Sequence, residues 1–218
     1  MTHSPFRPFE THLEEEAALR LLKAATDGAD DGELFLERRR SETLVFDDGR
    51  LRTSNYNASE GFGLRAVRGE TAGYAHASEI SEGAIGRASA TARLAVGDGG
   101  GTLAEAPVHT NRKLYADTDP MGDAAFPVKV DLLREIDAYA RGLDKRVVQV
   151  SASLAASLQE VEILRPDGAR YADIRPMARL NVSVILDQDG RRENGTAGAG
   201  GRHGLTGLME PSHWKSAV

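Results

Sequence analysis

The sequence predicts an α+β fold, built from two tandem modules in which a helix precedes an antiparallel β-meander. Four hairpin-turn signals recur, centred on Gly49, Gly69, Gly168 and Gly190. Glycine tolerates the positive φ that tight hairpin turns require, and the flanking apolar residues alternate as they do in half-buried strands. Apolar residues at helical spacing come before each group of turns, which indicates one leading helix in each module.

The first module is expected to span residues 1–97. Its leading helix is predicted to begin at a capping box formed by Thr11 and Glu14, in which two side chains satisfy free backbone donors. The stretch 32–78 then predicts a meander of about four strands, in which the polar segment Leu51 to Asn57 is expected at an edge. Ser81 is the predicted cap of a second helix.

Residues 98–127 are glycine- and proline-rich and are predicted to be a linker. The second α+β module is expected at residues 128–204, and residues 205–218 are expected to be the start of a truncated segment, since a helix beginning near Pro211 is too short to be stable alone. The paired turns lie 20 residues apart in one half (49 to 69) and 22 in the other (168 to 190). This similarity favours a duplication, although two unrelated α+β modules can also resemble each other.

Composition narrows the class of partner. The 218 residues carry a net charge of −6 and no cysteine. Nucleic acid is not an expected partner, because nucleic-acid-binding domains show a basic patch or a high pI. An anionic membrane surface is disfavoured for the same reason. The N-terminus lacks the apolar core of a signal peptide, and no run is long enough to span a membrane, so a cytoplasmic location is predicted.

An ordered series of short motifs carries a family resemblance. Its members are Arg39-Arg40-Ser41-Glu42, Asp48-Gly49-Arg50, Gly61-Phe62-Gly63-Leu64-Arg65 and Gly69-Glu70-Thr71-Ala72-Gly73-Tyr74-Ala75. The series resembles the N-terminal region of the TldD/PmbA family, also called modulator of DNA gyrase proteins. The resemblance extends from about residue 12 to residue 218 and favours the TldD side of the family.

The resemblance implies a cytoplasmic zinc metallopeptidase that cuts peptides or unfolded proteins together with a PmbA-like partner subunit. In TldD members a His-Glu-x-x-x-His helix and a late cysteine hold the zinc. Neither a His-Glu pair nor a cysteine occurs here. The expectation is therefore a non-catalytic N-terminal region, with no catalytic or metal-binding residue of its own, that shapes the substrate cleft and the subunit interface.

Two other functions remain open for this sequence. A stand-alone protein-binding adaptor without enzymatic activity is the alternative from a different class. For the partner, self-association is the alternative to a PmbA-like subunit. Binding to DNA or gyrase, which the family name suggests, is disfavoured by the negative net charge.

The candidate site residues are four glycines near the end of the second meander: Gly195, Gly198, Gly200 and Gly201. A strand without side chains allows another backbone to approach closely, and a peptide can bind by adding a strand to a sheet edge. These glycines are predicted to contact a peptide or another domain. They do not match the dinucleotide-binding pattern, which would need a glycine where His203 stands.

The remaining polar patterns have less specific interpretations. None of the six histidines is three or four residues from another, so none forms the helical pair typical of zinc sites. The basic run Arg38 to Arg40 is predicted to be a solvated strand face paired with nearby acids such as Glu42, or else a contact with a subunit or a peptide carboxylate.

Overall fold

The computed structural model describes residues 5–97 and 115–218, so positions 98–114 of the predicted linker lie outside the described residues. The chain is α+β, as predicted. Its helices are α1 (Pro8–Thr11), α2 (Glu15–Ala25), α3 (Glu82–Val96), α4 (Phe126–Leu143), α5 (Thr206–Met209) and α6 (Pro211–Ala217). Its strands are β1 (Asp31–Asp47), β2 (Arg50–Arg68), β3 (Thr71–Ala77), β4 (Val147–Leu164), β5 (Arg170–Gln188) and β6 (Arg191–Gly201).

All six strands form one antiparallel sheet, in the order β3-β2-β1-β4-β5-β6. The two central strands, β1 and β4, pair from Leu34 opposite Leu164 to Asp47 opposite Ser151. The strands of the two predicted modules are thus joined edge to edge. Each half contributes three strands preceded by a helix, so the expectation of about four strands in residues 32–78 is wrong, because residues 50–68 form one continuous strand. The duplication stays a prediction.

The hairpin turns are those that the sequence predicts. Asp48 and Gly49 have φ values of 49° and 75°, and Asp189 and Gly190 have values of 55° and 84°. Two successive positive φ values define the type I′ turn, whose twist matches that of the flanking strands. Gly69 (φ 56°) makes the turn between β2 and β3.

The helices lie on one face of the sheet and enclose two hydrophobic cores. In one core, α2 and α3 pack against Leu34 and Leu36 at the start of β1. In the other, α4, α5 and α6 pack against Leu44 and Phe46 at its end. These four residues of β1 are all even-numbered and therefore share a face. None of the helices in the described part of the chain is long and apolar enough to cross a membrane.

One predicted helix start is correct and one is wrong. The Ser81 side chain accepts a hydrogen bond from the Ala84 amide at 3.2 Å and caps α3. The capping box at Thr11 does not form, because Thr11 ends the short helix α1 and its hydroxyl donates to the Arg7 carbonyl at 2.9 Å. Pro8 occupies the first turn of α1, a position that proline favours. Helix α2 begins only at Glu15.

Between the two cores the helix-covered face carries charged side chains, here called the polar belt: Arg38, Arg40, Glu42, Lys129, Glu160 and Glu162. Arg38 Nε donates to Glu160 Oε2 at 3.0 Å, and Arg40 donates to Asp119 Oδ2 at 3.1 Å. Lys129 of α4 is only 2% exposed. It donates to the Glu42 carboxylate and to the Met121 carbonyl.

The polar belt corrects the interpretation of the basic run. Strand alternation places Arg38 and Arg40 on the covered face, where both are ion-paired, and leaves Arg39 exposed on the other face. Glu42, the predicted partner of the arginines, pairs with Lys129 instead. The run is therefore not one solvated face.

Replacing Lys129 by methionine should destabilise the fold. The Glu42 side chain is 17% exposed, and the substitution would leave this mostly buried carboxylate without its cation. Breaking a buried pair costs about 3–5 kcal/mol, and we expect the lower end because Glu42 keeps some solvent contact. Urea denaturation measures the loss. The double variant Glu42→Met/Lys129→Met should recover most of it, and an equal loss in both variants would contradict this role.

Replacing Glu162 by glutamine should stabilise the protein at neutral pH. Burial raises the pKa of Glu162 above its ordinary value of 4.5, and Arg170 offsets this only in part. A raised folded-state pKa means that ionisation costs stability as pH rises from the unfolded pKa through the folded one. The melting temperature of Glu162→Gln should exceed that of the wild type by about 1–3 °C at pH 8. Below about pH 4 the difference should vanish, since both states are then protonated. A difference independent of pH would contradict this explanation.

Candidate peptide-binding edge

The four candidate glycines all lie on β6, an outer strand of the sheet. Strand β6 pairs with β5 from Gln188 opposite Arg191 to Ala178 opposite Gly201. No other strand of the described residues pairs with it. Gly195, Gly198 and Gly200 are exposed, and Gly201 is half-buried. The four candidate residues thus share one strand, and the sheet order makes that strand an open edge. Their contact with a peptide or another domain stays a prediction.

The turn fixes which backbone groups of β6 point outward. In a two-residue hairpin the closing pair, here Gln188 and Arg191, is hydrogen-bonded, and hydrogen-bonded pairs alternate with non-bonded ones along an antiparallel ladder. Alternate residues therefore direct their N–H and C=O groups away from β5. These residues are Arg192, Asn194, Thr196, Gly198 and Gly200.

The part of this edge that lies away from the turn lacks the usual protection against strand pairing. Charged side chains and proline commonly block an edge strand, but neither occurs from Asn194 to Gly201. The charges are confined to the turn end. There, Arg192 Nε donates to Asp187 Oδ2 at 3.0 Å. This bond and one from the Gly190 amide lower the pKa of Asp187. The two bonds stabilise the turn, and the uncharged residues from Asn194 to Gly201 stay available for strand pairing.

Two of the glycines lie close against β5. A Cβ on Gly198 would lie 2.4 Å from Asn181 Oδ1, and a Cβ on Gly200 would lie 2.5 Å from the Ala178 carbonyl oxygen. A larger residue at Gly200 would meet the β5 backbone and push β6 away, whereas at Gly198 it would have to displace the Asn181 side chain. At Gly195, by contrast, nothing lies within 4 Å of such an atom. The close approach of β5 thus accounts for Gly198 and Gly200 within this chain.

An apolar groove lies beside the edge on the helix-covered face. It has a volume of about 360 Å³ and runs between the end of α4 and strands β5 and β6. Its lining includes Leu143, Val182, Val184, Gly195 and Ala197. A strand added to β6 would direct every second side chain to this face, so the groove could receive an apolar side chain.

A second, larger cleft of about 680 Å³ lies at the other end of β6, beside Gly200. His203 and His213 both line it. Each donates from Nδ1 to a backbone carbonyl, His203 to Gly204 at 2.7 Å and His213 to Gly207. Since a carbonyl oxygen only accepts, Nδ1 carries the proton in each ring, and Nε2 is left as an acceptor when the ring is neutral.

The structure brings together residues that the sequence did not connect. Asp123 lines the same cleft as the two histidines and accepts a hydrogen bond from the Leu205 amide at 2.6 Å. Within residues 5–97 and 115–218, no three His, Asp or Glu side chains are grouped so that they could hold a metal ion. No local motif could have revealed this cleft, because Asp123 precedes α4 and the histidines follow β6.

Two family models match this chain. The model of PmbA/TldA metallopeptidase domain 1 matches residues 32–96, and that of the PmbA/TldA metallopeptidase central domain matches residues 119–215. The chain belongs to the PmbA/TldD family. The first match contains β1 to β3 and α3 of this PmbA/TldD chain, and the second contains α4 to α5 and the candidate edge β6.

Curated relatives carry the name metalloprotease TldD homolog. The protein of Haemophilus influenzae is 34% identical over 184 residues, which cover 83% of this chain and 38% of the relative. The protein of Buchnera aphidicola from Acyrthosiphon pisum is 30% identical over 190 residues, which cover 87% and 39%. This PmbA/TldD chain thus spans less than two-fifths of the length of these relatives.

A solved structure shows the same fold. TldE from Thermococcus kodakarensis superposes with a TM-score of 0.73 at 14% identity, and the match covers 92% of this chain and 46% of TldE. The likeness confirms the α+β architecture.

Proposed function

We propose that this chain is the non-catalytic N-terminal region of a TldD-like zinc metallopeptidase, located in the cytoplasm, and that it shapes the substrate cleft and the subunit interface. The names of the relatives support the metallopeptidase assignment, and so does the chain's membership of the PmbA/TldD family. The described residues do not offer a ligand set for zinc. The zinc of the complete protein is proposed to be held by other residues.

The open, uncharged edge of β6 is the observation that carries the cleft proposal. A peptide or unfolded segment would pair with the outward groups of Asn194, Thr196, Gly198 and Gly200. Main-chain hydrogen bonds give affinity that does not depend on sequence, and pockets for alternate side chains add selectivity. The apolar groove beside Gly195 supplies such a pocket.

The same edge could instead pack against another domain of the complete protein, which is the second candidate for these glycines. The glycine-rich stretch from Gly198 to Gly201, in which Ala199 carries the one side chain, favours it, because glycine lets a second backbone come close. In that arrangement the edge would be covered, and free peptide would not bind to it in the complete protein.

Association with other subunits belongs to the proposal too. The partner is proposed to be a PmbA-like subunit or a second copy of the same protein, and the similarity to TldE supports subunit partnership. A stand-alone protein-binding adaptor would use the same edge without hydrolysis. Sequencing the reading frame of the complete protein discriminates the two: a His-Glu-x-x-x-His motif in it would decide for the peptidase.

Proline at position 196 should weaken peptide binding. Thr196 directs its N–H outward, so proline would remove one bond to the added strand without removing a bond to β5. With a fluorescein-labelled uncharged ten-residue peptide, fluorescence anisotropy should show an increase in Kd of about tenfold or more, consistent with loss of a bond and steric blocking.

The matched control is Thr196→Ala, which keeps the N–H and loses the same contact of Thr196 Oγ1 with Ser183 Oγ. Its peptide affinity should equal that of the wild type. Equal affinities in all three proteins would rule out strand addition at this edge, and absence of binding to the wild-type chain would favour domain packing.

The purified 218-residue chain should not hold stoichiometric zinc. The described residues bring no three suitable ligands together, and stable protein zinc sites need three or four. After dialysis against zinc-containing buffer and then buffer alone, elemental analysis should find less than about 0.1 zinc per chain. One zinc per chain, or hydrolysis of an unfolded protein by this chain, would overturn the non-catalytic assignment.

A further inference from the structure

The sheet has a second open edge on strand β2. Strand β3 pairs with β2 only from Phe62 to Arg68, so the segment 50–61 has β1 on one side and no strand of the described residues on the other. Every residue from Ser54 to Glu60 is exposed, and Tyr56 is 59% exposed. The sequence predicted an edge for part of this segment. Its exposure on both faces shows that no helix within residues 5–97 and 115–218 covers it either.

The outward backbone groups of this edge follow from the next turn. Arg68 and Thr71 flank the two-residue turn at Gly69 and form its hydrogen-bonded closing pair. Alternation along β2 then directs the N–H and C=O groups of the even-numbered residues away from β1. On the open segment these residues are Ser54, Tyr56, Ala58 and Glu60.

The sequence of this edge is nearly the same in both directions. Residues 53–59 read Thr-Ser-Asn-Tyr-Asn-Ala-Ser. Around Tyr56, Asn55 mirrors Asn57, and two small residues, Ser54 and Ala58, mirror each other. The stretch has neither charge nor proline, the features that usually protect an edge. A symmetric dimer needs a surface that complements itself, and this edge meets that condition.

We propose that a second copy of this chain pairs with the β2 edge, antiparallel, about a two-fold axis at Tyr56. Tyr56 of each copy lies opposite Tyr56 of the partner copy, and Ser54 lies opposite Ala58 of the partner copy. The three outward residues Ser54, Tyr56 and Ala58 then exchange about six backbone hydrogen bonds between the copies. This inference deepens the self-association part of the proposed function and is independent of its peptide part.

Charge complementarity at the ends of the edge supports the same register. Arg52 is exposed and has no hydrogen bond or ion pair with the described residues. The Glu60 side chain is 43% exposed, and among the described residues its one ion-pair contact is with His12 Nε2, at 3.9 Å. The antiparallel register brings Arg52 of one copy beside Glu60 of the other, twice in the dimer. Opposite charges at these positions favour this register over a shifted one.

The local geometry limits the paired stretch to residues 53–59. A bulge between Val45 and Phe46 leaves Arg52 without a partner in β1. Bulges bend a strand and increase its twist, so regular pairing stops at this end. At the other end β3 ends at Ala77, directly beside Gly61, and limits pairing there.

Single-cysteine crosslinking tests the two-fold axis, because the natural chain has no cysteine. Tyr56→Cys should form a disulfide-linked dimer under mild oxidation, since position 56 faces itself. Ser54→Cys should not form this disulfide. The two copies of position 54 would be offset by four residues, about 13 Å apart, whereas a disulfide needs Cα atoms within about 7 Å. Tyr74→Cys, at a site that is 61% exposed on β3, controls for random collision. Equal crosslinking of all three variants would overturn the axis.

Paired charges test the register without covalent chemistry. In Ser54→Lys/Ala58→Lys, two lysines face each other at both contacts, and sedimentation velocity should show an increase of at least about tenfold in the dimer Kd. In Ser54→Lys/Ala58→Glu, opposite charges face each other, and the Kd should stay within about threefold of the wild type. Both variants change only exposed positions, so circular dichroism should show the same fold.

The contrary outcomes are distinct. A wild-type chain that is monomeric at about 100 μM overturns the proposal, because strand pairing of this size should be visible there. A dimer that the two lysines do not weaken uses another surface, which also overturns it. Peptide binding by the Ser54 and Ala58 variants should be unchanged. A failure of the dimer proposal therefore does not affect the interpretation of peptide binding by the Thr196 variants.

Discussion

The antiparallel pairing of β1 with β4 is the interaction on which the rest of the structure depends. It joins two three-stranded meanders into one sheet and leaves β3 and β6 as the outer strands. It also aligns the even-numbered residues of both strands on the same face, so the helices of both halves lie on one side. The open edge of β6 and the shared side of the two cores follow from this pairing, whereas the open part of β2 follows from the shortness of β3.

The polar belt makes that pairing specific. Arg38 lies directly opposite Glu160 in the ladder, and Glu42 is reached by Lys129 from α4. A slip of one residue would move the side chains of one strand to the opposite face and would leave buried charges without partners. Apolar side chains of similar size could fill the space with equal or greater stability. The contribution of the charges in the belt is therefore to favour one register of β1 on β4 over shifted ones.

Local signals predicted much of this fold. Asp48-Gly49 and Asp189-Gly190 predicted two turns, because these residue types tolerate the positive φ values that the turns require. The joining of β1 to β4 was missed because no local pattern specifies pairing between distant strands. Alternation in β4 also could not tell which face is covered, so Glu160 and Glu162 were not recognised as buried. At the candidate edge, sequence placed the glycines on a strand, but only the register with β5 explains Gly198 and Gly200.

The connectivity of the central pair has a consequence for chain entropy. Asp47 and Ser151 face each other although they are 104 positions apart (151 − 47), whereas three of the hairpins close over two-residue turns. Closing a loop of that length costs about 4 kcal/mol by the logarithmic dependence on length, against less than about 1 kcal/mol for a hairpin. The hairpins are the units that can form locally, and the middle of the finished sheet is its most non-local part.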